Sequence, residues 1–106
     1  MDEKDFERRA GEALRKLEAA LRDVGELDAD LAGDILTIEF EDGSKFVVNS
    51  HSAAQQIWVS ANLGAMHYGW HPPTGSWRDT RTGAELFTEL GKLVNEKLSE
   101  PVKLRD

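Results

Sequence analysis

Apolar residues near the start of the chain recur at steps of three and four: Phe6, Ala10, Ala13, Leu14, Leu17, Leu21 and Val24. That spacing predicts an amphipathic helix over residues 3–24, with Gly25 as its C-terminal stop. From Asp34 the period changes to two. Leu36, Ile38 and Phe40 point one way, and Ile35, Thr37, Glu39 and Glu41 the other. Asp42-Gly43 is a hairpin turn signal, and Lys45–Asn49 reads as the return strand. A loop, Ser50–Ala53, precedes a third strand over Gln55–Ser60, with Ile57 and Val59 on one side and Gln56, Trp58 and Ser60 on the other. Met66–Trp70 and Ser76–Asp79 read as two shorter strands joined by the turn Pro72-Pro73-Thr74-Gly75. Thr82-Gly83-Ala84-Glu85 has the form of a capping box, with Thr82 as N-cap. A second helix follows, turning Leu86, Phe87, Leu90, Leu93, Val94 and Leu98 inward and ending at Pro101; Val102 and Leu104 form an apolar tail that covers the core.

Strands grouped between two helices predict an α+β fold. Its form is a two-layer α/β sandwich in one domain, residues 1–106, with the N- and C-terminal helices packed on one face of an antiparallel sheet. The other sheet face is left open. By strand parity that face carries Asn49, Gln56 and Trp58, a large aromatic among amides, which is the composition of a binding hot spot. A chain of 106 residues suits one such unit and buries roughly two-thirds of its unfolded surface.

Charge sharpens the picture. Residues 1–42 hold 14 acids and 6 bases, whereas residues 43–106 hold 6 acids and 7 bases. Between Asp23 and Asp42 lie eight carboxylates and no Lys or Arg: Asp23, Glu26, Asp28, Asp30, Asp34, Glu39, Glu41 and Asp42. Such a run repels itself and favours a cation or a basic protein surface. It also argues against nucleic acid, which needs a basic footprint. Glu7 and Glu18 fall on one flank of the first helix's apolar stripe. Eleven residues separate them, about 16 Å of helix, so they line an edge without chelating one ion. Patterning divides the acids between the helix end, a loop and the first hairpin strand. The useful edge then runs from Glu18 to Asp34, and Glu39 and Glu41 fall to the open sheet face.

The segment from Asp28 to Glu39 nearly matches a calcium loop, with Asp28, Asp30, Gly33 and Glu39 at the right offsets. Ala32 stands where a ligand is needed, and the exit segment alternates as a strand rather than a helix. The carboxylates instead suit hard cations at an open, weak site. The chain has no Cys, which removes disulfides, zinc–thiolate sites, thiol nucleophiles and thiolate-held clusters. His51, His67 and His71 accompany no nucleophile motif. On an extended strand His67 and His71 stand about 13 Å apart, so they read as surface residues. The acidic N-terminus is neither a secretory signal nor a transit peptide, and no stretch approaches the ~20 apolar residues of a membrane span. A cytoplasmic protein without membrane partners is the expectation.

Three segments then carry a resemblance: Gly33-Asp34-Ile35-Leu36-Thr37-Ile38, Asp42-Gly43-Ser44-Lys45-Phe46-Val47-Val48-Asn49 and Gln56-Ile57-Trp58-Val59-Ser60. With Asp5-Phe6-Glu7-Arg8, His67-Tyr68, Trp77 and Glu85-Leu86-Phe87-Thr88-Glu89-Leu90, the chain resembles the frataxin family in its bacterial CyaY branch. The resemblance implies weak iron binding at surface carboxylates and regulation of iron–sulfur cluster assembly, without enzymatic activity of its own. It implies a cysteine desulfurase and an iron–sulfur scaffold protein as partners. Carried over, the metal-binding ridge is Glu7, Glu18, Asp23, Glu26, Asp28, Asp30 and Asp34, and the partner-binding patch is Asn49, Gln56, Trp58 and His67. Ala19 and Arg22 stand where relatives often have acids, and Glu7 where some have His. Two other readings are a ferroxidase or iron-storage protein and an acidic interaction module that uses no metal.

Overall fold

The structure is a computed structural model describing residues 1–62, 64–99 and 102–104. Helix α1 spans Glu3–Arg22, and Asp2 caps it by accepting the Asp5 N–H at 2.8 Å. Six strands follow: β1 Leu27–Ala32, β2 Ile35–Phe40, β3 Lys45–His51, β4 Gln56–Ala61, β5 Gly64–His71 and β6 Ser76–Asp79. Helix α2, Leu86–Leu98, closes the order. All strand pairs are antiparallel, and the sheet order β1-β2-β3-β4-β5-β6 follows the chain. The expected two-layer α+β architecture holds. Phe6, Leu14, Leu17 and Leu21 of α1 and Leu86, Leu90 and Val94 of α2 join Leu36, Ile38, Phe46, Val48, Ile57, Val59 and Tyr68 in one buried core. Among the described residues no helix lies over the opposite sheet face. No helix among the described residues is long and apolar enough to cross a membrane.

Several boundaries correct the sequence reading. The sheet has six strands, not five, because the acidic segment read as a loop is β1. Leu27, Ala29 and Leu31 are half-buried and alternate with exposed Asp28, Asp30 and Ala32. The alternation is present in the sequence, but the inward residues include an alanine and the outward ones are mostly acids, so the strand has little apolar signal. Gly33, with φ +61°, and Asp34 then form a two-residue hairpin loop that pairs Ala32 with Ile35. Strand β3 continues to His51, so only Ser52–Gln55 turns, and β4 starts at Gln56 because Gln55 is left-handed at φ 53°. Helix α1 ends at Arg22, one turn before Gly25.

The capping box is also replaced. Glu85 itself is the N-cap of α2, and its carboxylate accepts the Phe87 N–H at 2.7 Å, the Thr88 N–H at 3.0 Å and the Thr88 hydroxyl at 2.9 Å. A β-bridge between Arg78 and Glu85 holds Glu85 extended, which delays the helix past the Thr82 position. Thr82 instead accepts the Ala84 N–H at 3.2 Å. Pro101 lies outside the described residues; α2 closes at Ser99, in the left-handed region at φ 57°. Leu104 of the tail is buried, and its backbone passes 3.4 Å from where a Cβ on Gly91 would stand.

One ion pair ties the far end of α2 to the sheet. Lys97 Nζ lies 2.7 Å from Asp42 Oδ2, in the β2–β3 turn, and 5.7 Å from the Phe40 ring centroid. The hydrogen bond from Lys97, with those from Ser44, holds the Asp42 carboxyl well below the usual carboxylate range. A depressed folded-state pKa stabilises the fold above the unfolded value of about 3.9, and that contribution disappears as pH falls towards the folded value. Acid unfolding monitored by circular dichroism below pH 4 is therefore expected to begin at higher pH in Asp42→Asn than in the parent chain. The exposed position keeps this effect small.

Candidate functional site

The register of the sheet decides which side chains share the open face. Cross-strand pairing runs Ala32–Ile35–Asn49–Trp58–His67 across five strands. A second row runs Asp28–Glu39–Lys45 and a third Asp30–Thr37–Val47–Ser60–Ala65. All alternate with the buried positions, so all point away from the helices. Asn49, Gln56 and Trp58, expected there by parity, and His67, implied there by the resemblance, share one surface, where Trp58 is half-buried and His67 exposed.

Trp58 is not a free indole. His51 stacks on one face at 4.0 Å between centroids with planes 10° apart, and His67 on the other at 4.5 Å and 17°. Its Nε1–H donates to Gln56 Oε1 at 2.8 Å. The three rings form a plate whose edges face outward. Asn49 Nδ2 reaches only the Ser50 carbonyl, at 3.4 Å. Sequence reasoning missed His51, which it put in a loop, and Ile35, which at 45 % exposure is a large apolar side chain left open on the Trp58 row. The signal for Ile35 was its outward parity beside Thr37 and Glu39. His71 belongs elsewhere, with Nδ1 2.8 Å from Thr74 Oγ1 in the β5–β6 turn.

The acids divide into groups. Glu26, Asp28, Glu39 and Glu41 line one cleft of about 480 Å³ at the start of β1 and the end of β2. Asp28 stands directly opposite Glu39, with Lys45 next in the row as partial compensation. Glu39 therefore belongs with Asp28 and Asp30, and the division between a ridge and an open-face acid does not hold: β1 carries the acids onto the same face as Trp58. Glu7 and Asp34 line a second cleft, of about 230 Å³, with Ser50 and Ser52. Asp23 is exposed at the C-cap of α1, the negative end of the helix dipole, where a carboxylate is disfavoured. Among the described residues no three of His, Asp and Glu converge on one point.

Glu18 has a different environment. Its side chain is only 20 % exposed, and Oε2 accepts the backbone N–H of Leu31 at 3.1 Å and Arg22 Nη2 at 3.2 Å. Strand β1 is an edge strand, so its outward N–H groups lack a strand partner. Glu18 occupies one of them and pins β1 to α1. Glu18→Ala is expected to speed hydrogen exchange at the Leu31 amide at least tenfold, while Glu18→Gln, which keeps an acceptor, retains most of the protection. Equal exchange in all three proteins would remove the pin.

A family model described as a frataxin-like domain matches residues 1–100. The iron-sulfur cluster assembly protein CyaY of Dechloromonas aromatica (strain RCB) is 44 % identical over 99 % of this chain and 100 % of its own length. The protein of the same name from Janthinobacterium sp. (strain Marseille) is 40 % identical over 100 % of this chain and 98 % of its own. Among solved structures, frataxin from Psychromonas ingrahamii superposes with a TM-score of 0.91 at 27 % identity, covering both chains in full. With two helices on a six-stranded sheet, an open Trp58 face and a family match over nearly the whole chain, this protein belongs to the frataxin family.

Proposed function

We propose that this protein is a non-enzymatic iron-binding regulator and iron donor in iron–sulfur cluster assembly, acting on a cysteine desulfurase–scaffold complex. The observation that carries the reading is the continuity of the open sheet face: acids along β1 and β2 pass directly into the Trp58 row, with no helix over either. The names of the relatives, iron-sulfur cluster assembly protein CyaY, support the pathway. Iron is cargo rather than a resident cofactor. Scattered carboxylates hold Fe(II) or Fe(III) weakly and release it readily, because no ligand set among the described residues encloses an ion. The same acids steer a basic desulfurase surface towards the open face, and Trp58 with Gln56, Asn49 and His67 supplies contact at the scaffold. Without Cys the chain modulates cluster assembly but holds no cluster by thiolates.

The test is a desulfurase assay with purified scaffold, in which this protein and Fe(II) are varied together under anaerobic conditions. A rate that depends on the protein, with an iron-dependent magnitude, supports the reading. A rate indifferent to both sinks it. Oxygen consumption by Fe(II), with and without the protein, separates this role from a ferroxidase.

A further inference from the structure

Helix α1 is polarised across its width. Glu7 and Glu18 flank the apolar stripe towards β1, while Arg9 and Lys16, seven residues apart, occupy the other flank. On that second side α1, the β5–β6 hairpin and the first turn of α2 leave a cleft of about 150 Å³. Arg9, Lys16, Trp70, Ser76, Trp77 and Glu85 are among its walls. Trp70 pairs with Trp77 across β5 and β6 and points, like it, into the helical layer. Trp77 is buried and meets Trp70 edge-on at 5.5 Å between centroids, whereas Trp70 is half-buried, with the Arg9 guanidinium 4.5 Å from its ring centroid.

The cleft walls carry two bases and two acids, Arg9 and Lys16 against Glu12 and Glu85, but both acids are engaged away from Arg9. The Glu85 carboxylate is occupied by its three capping hydrogen bonds. Glu12, also in the wall, pairs with Lys16 at 3.3 Å. Among the described residues Arg9 makes no ion pair. One guanidinium without an ion-pair partner among the described residues thus lines an aromatic-walled recess. The five N–H donors of a guanidinium lie around its rim, so an indole against one face leaves them available. A fork of that shape matches a carboxylate bidentately.

We propose that this cleft binds a small planar carboxylate, its anionic end on the rim of Arg9 and its unsaturated body against Trp70. The space equals about five waters' worth of liquid volume, which limits the ligand to about one ring or a short unsaturated acid. The site lies across α1 from the acids and is independent of the function proposed above.

The probe is benzoate, titrated into the 15N-labelled full chain and followed at the indole Nε1–H resonances of Trp70 and Trp77. Saturable shifts at both in the millimolar range are expected, with Trp58 unmoved. Arg9→Gln should weaken binding at least tenfold, and Arg9→Lys, which keeps the charge but loses the fork, by less. Glu12→Gln, which frees Lys16 and removes a negative wall, should tighten binding severalfold, a gain that a misfolded variant cannot give. Shifts that do not saturate, or an affinity unchanged in Arg9→Gln, overturn the proposal. So does inorganic phosphate or cyclohexanecarboxylate matching benzoate, since either leaves planar carboxylate recognition without a basis.

Discussion

Trp58→Ala is expected to weaken binding to the proposed partner, the desulfurase–scaffold complex, by about 30-fold or more, the effect of removing a residue worth at least ~2 kcal/mol at the centre of an interface. The reason is geometric. Trp58 is held on both faces by His51 and His67 and at its Nε1–H by Gln56, so it meets a partner already ordered and loses little conformational freedom on docking. The substitution removes the centre of that plate and leaves both imidazoles without support. Its cost to the fold should be small, because the ring lies outside the helical core and stays half-buried. Calorimetry against the complex, with thermal unfolding of the free variant, separates the two effects. An affinity within threefold of the parent would mean that partners do not dock on this face. His67→Ala, which uncovers one side of the indole, should fall between the two.

Converting Glu26, Asp28, Asp30 and Glu39 to their amides should reduce affinity for a basic desulfurase surface at least tenfold at low salt, with the difference shrinking as ionic strength rises and screening shortens the reach of the charges. The proposed iron binding should weaken in the same variant. Its thermal stability should rise, because Asp28 directly faces Glu39 across β1 and β2 and the amides remove that repulsion. Opposite signs for stability and binding are the discriminating result. Acids kept only for solubility would give the stability gain with no loss of either ligand.

The helices and the central strands were legible in the sequence because each has an apolar stripe with a clear period. Leu36, Ile38 and Phe40 need no tertiary information to read as a strand. Strand β1 was not legible in the same way. Its inward residues are Leu27, Ala29 and Leu31, two of its three outward ones are acids, and much of its order comes from pairing with β2 and from the distant carboxylate of Glu18. Asn49, Gln56 and Trp58 were found by parity alone, and His67 only through the family resemblance. His51 was missed because the end of β3 has no local marker: the strand continues only while β4 pairs with it. The sharing of one face by Glu39 and Asp28 also depends on register, which a single strand does not contain. The Arg9–Trp70 recess joins residues some sixty positions apart and has no sequence signature.

The sheet order has a kinetic consequence. Because β1 to β6 lie side by side in chain order, each strand finds its partner immediately behind it, and no pairing waits for a distant segment. Short loops close on the time scale of microseconds or less, so the meander can zip hairpin by hairpin. The slow step is then the docking of α1, made first on the chain but without a complete surface to rest on until the strands it covers have assembled. Substitutions in Leu14 or Leu17 should therefore change the folding rate more than equally costly ones confined to the β5–β6 hairpin.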